Sequence, residues 1–379
     1  MQVTPGYVLT YFAEASVRRL HVVYSESNHI IMIVLENVPL GPLTTLKVGG
    51  PARYFAEPKT INEVGEGVQF ARSRSLPLFV LGGGSNLVIS DAGWPGLVLK
   101  IAITGIDERT ENGKILFEVG AGEEWDRFVA RAVSQTCAGV ECLSGIPGSV
   151  GGTPVQNVGA YGQEVAETIL SVLTLDLTDG QIRELCAEAC GFRYRTSIFN
   201  TSERGRFIIL RVTYSLTPGG EPRIQYADLK KHFAGFQQTP SLISTREAVR
   251  RIRASKAMLI TPGDEDCRSA GSFFKNPVLS AEQYQALTER AHAKGLQIPS
   301  YPALDAQRKV SAAWLVEYSG FSKGYISGRV GISRKHALAI VNRGEATAAD
   351  ILALKEHVQQ RVEELWGIRL EPEPVFVGF

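Results

Sequence analysis

The segment Leu81-Gly82-Gly83-Gly84-Ser85-Asn86 follows the short apolar run Leu78–Leu81, which the pattern predicts as a buried strand. Three consecutive glycines permit positive φ and leave their backbone N–H groups unobstructed by Cβ atoms. The loop can therefore bind a phosphate group. It lacks the third glycine of the GxGxxG fingerprint and the lysine of a P-loop. Taken alone, it equally fits a tight turn between two strands.

A second glycine-rich stretch, SGIPGSVGGTPVQNVGAYG, occupies Ser144–Gly162. It combines glycines with the side-chain donors Ser149, Thr153, Gln156 and Asn157, which is more donor capacity than a simple turn requires. Two such loops indicate a ligand with a pyrophosphate, held mainly by backbone dipoles and side-chain donors. Nicotinamide, flavin and nucleotide-sugar ligands all carry a diphosphate, so the pattern leaves the ligand open.

Composition limits the class of protein. The chain has 379 residues, which is long enough for two or three packed units. Its 40 Lys and Arg nearly cancel its 39 Asp and Glu, which argues against binding to nucleic acid or to an anionic membrane. Five cysteines without CxxC pairs indicate neither a disulfide framework nor a zinc ribbon, and favour a reducing cytoplasm.

A metal site is not expected. The six histidines share no metal-ligand spacing, so they are interpreted as structural or solvated. Cys186 and Cys190 have the spacing of neighbours on one helix face, but two ligands do not complete a tetrahedral site.

The N-terminal region differs from the rest of the sequence. Its longest apolar run, Ile30–Leu35, is far shorter than the roughly 20 residues that span a bilayer. Glu14 interrupts the earlier apolar stretch and no basic segment precedes it, which argues against a secretory signal. A regular pattern begins at Met32, so we hypothesise that translation starts there. An intact mass of the native protein that includes Met1–Ile31 would contradict this hypothesis.

Periodicity predicts an α+β fold. The predicted strands are Ala52–Ala56, Leu78–Leu81, Trp94–Leu99, Ile115–Val119, Ile169–Leu177, Phe207–Tyr214 and Val375–Val377. The predicted helices are Ile61–Ser73, Glu124–Ser134, Thr245–Ser255, Ser280–Lys294, Val310–Ser319 and Ala348–Trp366. Capping boxes mark two of these helices, with Ser280 and Gln283 in one and Thr347 and Asp350 in the other.

Seven ordered motifs between Asn37 and Gly378 resemble those of the UDP-N-acetylenolpyruvoylglucosamine reductases, the MurB family. They are TTLKVGG, LGGGSNLV, GIPGSVGG followed by NVGAYG, FRYRTSIF, QYADL, AGSFFKNP and LEPEPVFVG. The resemblance implies a two-part FAD-binding unit of the vanillyl-alcohol-oxidase (PCMH) type and an α+β substrate-binding domain. The implied organisation is an extension at 1–36, FAD-binding subdomains at 37–103 and 104–218, a substrate domain at 219–366 and a C-terminal segment, 367–379, that returns to the active site.

The resemblance also implies the site residues. Arg195 of YRTS, Ser272 of AGSFFKNP and the second glutamate of LEPE, Glu373, resemble the catalytic groups of the family. Pro374 stands where the family usually has valine, which leaves the local backbone geometry open. The residues that resemble cofactor contacts are Gly82, Gly83, Gly84, Ser85, Asn86, Gly148, Ser149, Gly152, Asn157 and Gly159. Those that resemble substrate contacts are Tyr161, Tyr194, Tyr226, Arg253, Lys256 and Asn276, with Tyr226 typical of the subtype whose tyrosine closes over substrate.

The implied activity is reduction of UDP-N-acetylglucosamine enolpyruvate to UDP-N-acetylmuramate, with FAD as cofactor and NADPH as co-substrate. This is a step of peptidoglycan synthesis, which supports the cell wall, cell shape and division, and it implies a cytoplasmic, monomeric enzyme. The arginine would stabilise an enol-like intermediate and the serine would donate a proton.

Plainer interpretations remain. Arg195, Ser272 and Glu373 would equally fit a surface arginine, a turn serine and a solvated carboxylate. Two rival functions are an FAD-dependent alcohol or sugar oxidase and a catalytically silent module that binds flavin or a nucleotide sugar.

Overall fold

The computed structural model describes residues 20–24, 30–303 and 306–379. Most of the segment before Met32 lies outside these residues, so the predicted extension and its translation start stay predictions. Within the described part, no helix combines the length and apolar character needed to cross a membrane.

The first group of elements forms a five-stranded mixed sheet in the order β1-β2-β3-β6-β4, in which β3, β6 and β4 run parallel. Its elements are β1 (Leu20–Tyr24), β2 (Ile30–Pro39), β3 (Pro51–Ala56), α1 (Ile61–Ser73), β4 (Leu78–Leu81), β5 (Leu87–Ile89) and β6 (Trp94–Lys100). Helix α1 begins because the Thr60 side chain accepts a hydrogen bond from the Glu63 N–H, and it buries Val64 and Val68 against the sheet. The predicted strands and helix of this region are confirmed.

The parallel pairing of β4 with β6 positions the first glycine loop. Leu81, the last residue of β4, lies opposite Lys100, the last residue of β6. The loop Gly82–Asn86 therefore leaves from the carboxyl end of a parallel strand, where open α/β sheets bind ligands.

The second group forms an antiparallel sheet in the order β13-β12-β14-β8-β7, and the short β9 pairs with the end of β14. Its elements are β7 (Ile106–Glu111), β8 (Lys114–Gly120), α2 (Trp125–Ser134), β9 (Cys137–Ala138), β10 (Gly159–Ala160), β11 (Gln163–Glu164), β12 (Ile169–Asp176), β13 (Ile182–Cys186) and β14 (Phe207–Pro218). Helix α2 packs on this sheet through aromatic side chains, with the rings of Phe128 and Tyr214 4.8 Å apart. The N–H of Trp125, the first residue of the helix, donates to the carbonyl of Gly148 in the second glycine loop at 3.1 Å.

The third group contains most of the remaining helices around two small sheets. Its elements are α3 (Ala227–Phe233), α4 (Leu242–Ser255), β15 (Val278–Leu279), α5 (Ala281–His292), β16 (Ser300–Pro302), β17 (Arg308–Val310), α6 (Ala312–Glu317), β18 (Ile326–Ser327), β19 (Val330–Ile332), β20 (Ile340–Asn342) and α7 (Ala348–Trp366). Both predicted capping boxes are present, and Trp314 of α6 packs on Trp366 of α7 with ring centroids 4.9 Å apart. The α+β class is thus confirmed, whereas the predicted domain boundaries stay predictions.

Two local predictions are wrong. The helix predicted from Val310 to Ser319 begins only at Ala312, because Val310 pairs with Ser300 in a sheet and the Ser311 side chain caps the helix. Cys186 and Cys190 do not share a helix face, because Cys186 ends β13, paired with Ser171 of β12, and Cys190 lies in a separate 3-10 turn.

The C-terminal segment lies between the first and third groups. Strand β21 (Val375–Val377) pairs in parallel with β5, and Pro372 forms an isolated bridge with Phe274. The N–H of Glu373 donates to the carbonyl of Phe273 at 2.9 Å. The segment therefore brings Glu373 next to both groups of elements.

Asp91 links the first group to α7. Its Oδ1 and Oδ2 accept hydrogen bonds from the N–H groups of Ala348 and Ala349 at 2.8 and 3.0 Å, in the first turn of the helix. We expect Asp91→Ala to lower the free energy of unfolding by about 1 kcal/mol, because two helix N–H groups lose a charged acceptor. Urea unfolding measures this, with the exposed Asp107→Ala as control. Equal midpoints for both variants would contradict it.

Candidate active site

The two glycine loops are in direct contact. A Cβ built on Gly83 would lie 2.4 Å from the Cα of Gly148, and one on Gly84, whose φ is 67°, would lie 2.0 Å from the carbonyl oxygen of Leu43. Ser85 donates from its hydroxyl to the carbonyl of Pro147 at 3.0 Å. A side chain at Gly83 would separate the two loops, and one at Gly84 would collide with the backbone of Leu43, so the sequence requires glycine at both positions for close backbone approach.

A cleft of about 260 Å³ lies where the loops meet. Its lining residues come from both loops, from the end of β6 and from the turn before α2: Gly82, Gly83, Lys100, Ile101, Gly122, Glu124, Gly148 and Ser149. The hydroxyl of Ser149 is buried and has no hydrogen-bond partner among the described residues. A buried hydroxyl without a partner is costly, and a phosphate oxygen would satisfy it. The cleft therefore fits the diphosphate that the two glycine loops predict.

Other predicted cofactor residues lie further along the second loop. The Asn157 amide is used within the protein, since its nitrogen donates to Glu164 at 2.7 Å and to the carbonyl of Arg193 at 3.1 Å. Its oxygen accepts from the N–H of Ala166. Asn157 thus ties this loop to the segment that carries Arg195. Gly159 lies in β10, paired with Glu164, and Gly152 is exposed.

Lys100 lines the cleft and was not singled out from the sequence. Its ammonium group lies 2.6 Å from Glu57, and its side chain is about one-third exposed. We expect Lys100→Met to weaken FAD binding about tenfold, because a cation beside two phosphates is lost. Flavin fluorescence titration measures the affinity, with exposed Lys59→Met as control. An unchanged affinity would mean that Lys100 forms its ion pair with Glu57 and does not contact the cofactor.

Arg195 stands on a tight turn. The backbone N–H and carbonyl groups of Arg193 and Thr196 exchange hydrogen bonds of 2.9 and 3.0 Å, which leaves Tyr194 and Arg195 at the tip. Arg195 has a φ of 55°, and its carbonyl accepts from the Asn200 amide at 3.1 Å. A positive φ is uncommon for a residue with a Cβ and is a feature often found at functional sites.

The guanidinium of Arg195 faces Glu373. The Nε atom lies 3.2 Å from Oε1, and the two side chains are only 21% and 13% exposed. Because Nε makes no well-directed hydrogen bond, the contact is mainly electrostatic. Burial raises the pKa of Glu373, and the charges of Arg195 and Lys275 lower it by less. A buried pair with unused donors is suited to a substrate carboxylate.

Ser272 lies beside this pair in the backbone. It precedes Phe273, whose carbonyl accepts the N–H of Glu373, and it follows Gly271, whose φ is 72°. Ser272 is half-buried, and its hydroxyl makes no hydrogen bond within the described part of the chain. The structure thus brings Arg195 and Glu373 into contact and places Ser272 next to the Glu373 backbone.

A second cluster contains four predicted substrate residues. The rings of Tyr161 and Tyr226 meet edge to face at 5.3 Å, and the Lys256 ammonium lies 5.9 Å from the centre of Tyr161 and 2.5 Å from Asp228. Arg253 is buried and donates to the carbonyls of Gly145 and Met258. Burial raises the pKa of Tyr161 and lowers that of Arg253. Arg253 therefore joins the second glycine loop to the third group of elements.

Asn276 is hydrogen-bonded to the first residue of α6, and Tyr194 lies beside Arg195. The Asn276 side-chain oxygen accepts from the N–H of Ala312 at 2.9 Å, which leaves its amide N–H groups for a ligand. The Tyr194 ring lies 4.4 Å from the ammonium of Lys309 and 5.7 Å from the guanidinium of Arg195.

His336 and Lys323, which lie near Lys256, were not singled out from the sequence. Burial, followed by the charges of Lys256 and Lys323, lowers the pKa of His336 to about 4, so the ring is neutral at pH 7. Its Nδ1 accepts from the N–H of Leu338, and the proton therefore resides on Nε2 as a donor. Scattered histidines gave no pattern from which this could be found.

Comparison with known proteins defines the class. Residues 52–185 match the FAD binding domain family, and residues 262–377 match the C-terminal domain of UDP-N-acetylenolpyruvoylglucosamine reductase. Together with the cleft, these matches define a flavoprotein oxidoreductase.

Full-length relatives define the family. The chain is 46% identical to the UDP-N-acetylenolpyruvoylglucosamine reductase of Thermobifida fusca over 349 residues, which cover 90% of this chain and 97% of the relative. The Streptomyces coelicolor enzyme of that name is 44% identical, covering 91% and 90%. The crystal structure of the Thermus caldophilus reductase aligns with a TM-score of 0.63 at 28% identity, over 91% of this chain and 99% of that one. The chain belongs to the UDP-N-acetylenolpyruvoylglucosamine reductase family, and the resemblance drawn from its motifs is confirmed.

Proposed function

We propose that the chain reduces UDP-N-acetylglucosamine enolpyruvate to UDP-N-acetylmuramate, with Arg195, Ser272 and Glu373 as its catalytic groups. One observation carries the assignment of these groups. The buried contact of 3.2 Å between Arg195 and Glu373 lies beside Ser272 and is tied to both glycine loops through Asn86 and Asn157. FAD is the cofactor and NADPH the co-substrate, and the product feeds peptidoglycan synthesis.

The glycine loops bind the cofactor diphosphate. Backbone N–H groups of Gly82–Gly84 and the unpaired hydroxyl of Ser149 are the donors that the cleft offers. When bound, FAD supplies hydride transfer from NADPH to the enolpyruvyl carbon. Contacts of Gly148 and Ser85 with the opposite loop keep the two halves of the cleft together.

Arg195 binds the substrate carboxylate. A guanidinium keeps its charge and offers two parallel donors. It therefore stabilises the negative charge that develops on the carboxylate side when the distal C3 carbon of the enolpyruvyl group receives a hydride. Glu373 retains its proton to higher pH than an exposed carboxyl group because burial raises its pKa. In its protonated form it donates a hydrogen bond to the same enol-like oxygens.

Ser272 delivers the proton that completes the reaction. A hydroxyl within about 3 Å of the carbon next to the carboxylate can act as a general acid when neighbouring donors stabilise its alkoxide. Lys275, three residues along the same segment, adds positive charge near Glu373.

The second cluster binds the substrate diphosphate. Lys323 offers a cation and the neutral His336 an N–H donor, and Lys256, which is paired with Asp228, adds a second positive charge. The Tyr161 and Tyr226 rings form an apolar wall beside them. Tyr226 is 44% exposed, which leaves it free to move over a bound ligand. Asn276 contributes its free amide N–H groups to the same ligand.

We also propose that the enzyme is a cytoplasmic monomer that binds neither nucleic acid nor membrane. A net charge of +1 gives no electrostatic attraction to either polyanion. The domain boundaries inferred from the motifs are part of this proposal.

An anaerobic titration tests the function. We expect the purified protein to show a flavin spectrum, to bleach on addition of NADPH and to recover when UDP-N-acetylglucosamine enolpyruvate is added. Recovery with oxygen during turnover of a simple alcohol would instead support the oxidase alternative. Flavin that binds but is not reduced by NADPH would support a silent binding module.

A further inference from the structure

Asn86 makes three hydrogen bonds that join distant segments. Its side-chain nitrogen donates to Oε1 of Gln156 at 2.8 Å and to the backbone carbonyl of Glu373 at 3.2 Å. Its own backbone carbonyl accepts the N–H of Val375 at 2.9 Å. One residue of the first glycine loop therefore holds the second loop and the segment that carries the buried carboxyl group.

The backbone around Glu373 has little freedom. Its N–H is bound by Phe273 and its carbonyl by Asn86, and the prolines on either side restrict the chain further. Pro374 is buried and has no N–H, so it introduces no unpaired donor between the two bonds to Asn86. The departure from the valine usual in the family is thereby accommodated.

Strand pairing does not hold Glu373 by itself. Strand β21 begins at Val375, two residues later, and its partners in β5 are Leu87–Ile89. The Asn86 side chain is the contact that extends this attachment back to Glu373. Removing the amide would free the carbonyl of Glu373 while leaving the pairing of β21 with β5 in place.

We propose that Asn86 is a positioning residue that fixes the backbone of Glu373 to the cofactor-binding loops, so that its carboxyl group stays opposite Arg195. The inference rests on the proposed catalytic role of Glu373. It also narrows the predicted role of Asn86 as a cofactor contact. Both amide hydrogens bond within the protein, so only Oδ1 remains for a ligand.

The test compares Asn86→Ala and Asn86→Asp with the wild type in the separate half-reactions. We expect both variants to bind FAD within about threefold of wild type and to be reduced by NADPH normally. We expect the rate of substrate reduction to fall about 10- to 100-fold with little change in KM, because the bound substrate meets a misplaced group. Asn86→Asp keeps the side-chain shape but cannot donate to the Glu373 carbonyl. A loss of rate in this variant therefore reports the lost hydrogen bond and not a cavity left by a smaller side chain.

Two further readouts distinguish positioning from a loss of structure. Burial raises the pKa of Glu373, whereas Arg195 and Lys275 lower it, and the Tyr194 hydroxyl is the other titratable group facing it. Releasing the segment exposes the carboxyl group, so the pH at which substrate reduction declines should move down. Hydrogen exchange at the Val375 N–H should change little, because the backbone bond to residue 86 remains.

The matched control is Gln285→Ala, which removes an amide from the exposed face of α5 and should leave all rates unchanged. Wild-type rates of substrate reduction in Asn86→Ala would overturn the proposal. So would a loss of FAD affinity as large as the loss of rate, because the amide would then act on the cofactor. Failure of the proposed function would be seen separately in the wild-type protein, as reduced flavin that the enolpyruvyl substrate does not reoxidise.

Discussion

Replacing Ser272 by alanine is expected to slow substrate reduction by about 10²- to 10⁴-fold, the usual contribution of a positioned general acid. Reduction of the flavin by NADPH should stay near the wild-type rate, because that step transfers no proton to the substrate carbon. The hydrogen bond from the N–H of Glu373 to the carbonyl of Phe273 joins two backbone groups, so it persists in the variant. Anaerobic stopped-flow absorbance separates the two half-reactions.

The control for this variant is Ser134→Ala, at the exposed end of α2, whose hydroxyl donates to the carbonyl of Arg131 within its own helix. It should behave as wild type in both half-reactions. Near-normal substrate reduction by Ser272→Ala would refute the donor assignment and return Ser272 to the role of a turn serine beside Gly271.

Replacing Arg195 by methionine should lower substrate reduction by about 10²- to 10³-fold, as expected for the loss of one preorganised donor at a developing charge. Arg195→Lys should recover only part of this, because an ammonium keeps the charge and lacks the two parallel donors. Turnover of the pre-reduced enzyme with the enolpyruvyl substrate measures both.

The pH dependence of the arginine variant has a definite sign. Arg195 is the larger of the two charges that lower the pKa of Glu373 against the effect of burial. Its removal therefore raises that pKa further, and the carboxyl group stays protonated to higher pH than in the wild type. The exposed Arg204→Met is the matched control. A pH profile and rate equal to wild type in Arg195→Met would contradict the assignment.

The fold could be predicted largely because its elements are locally consistent. Helix α7 combines a capping box at Thr347 with an apolar stripe, and both signals agree with the observed helix. Val310 shows the limit. Its β-branched side chain favours a strand, but it stands directly before a helical pattern, and the pairing with Ser300, ten residues away, shows where the strand ends. The prediction that Cys186 and Cys190 share a helix face was wrong for a related reason. A spacing of four residues places two side chains on one face only if the segment is helical.

The site was predicted unevenly. The glycine loops could be recognised because φ and close approach restrict them to glycine, and the motifs then singled out Arg195 and Glu373. Lys100 and His336 carry no such signature, because neither is among the described residues with a positive φ. Their significance depends on neighbours such as Glu57 and Lys256 that only folding brings close.

The hydrogen bond from Asn86 to the carbonyl of Glu373 joins residues 287 positions apart. Contacts of such sequence separation form late, because much of the chain must be ordered before they compensate the entropy of closing the loop. The cleft is lined by residues between Gly82 and Ser149, so we expect it to form before the segment that carries Glu373 is attached. The proposed catalytic role of Glu373 then predicts that such incomplete molecules bind flavin but do not reduce the sugar nucleotide.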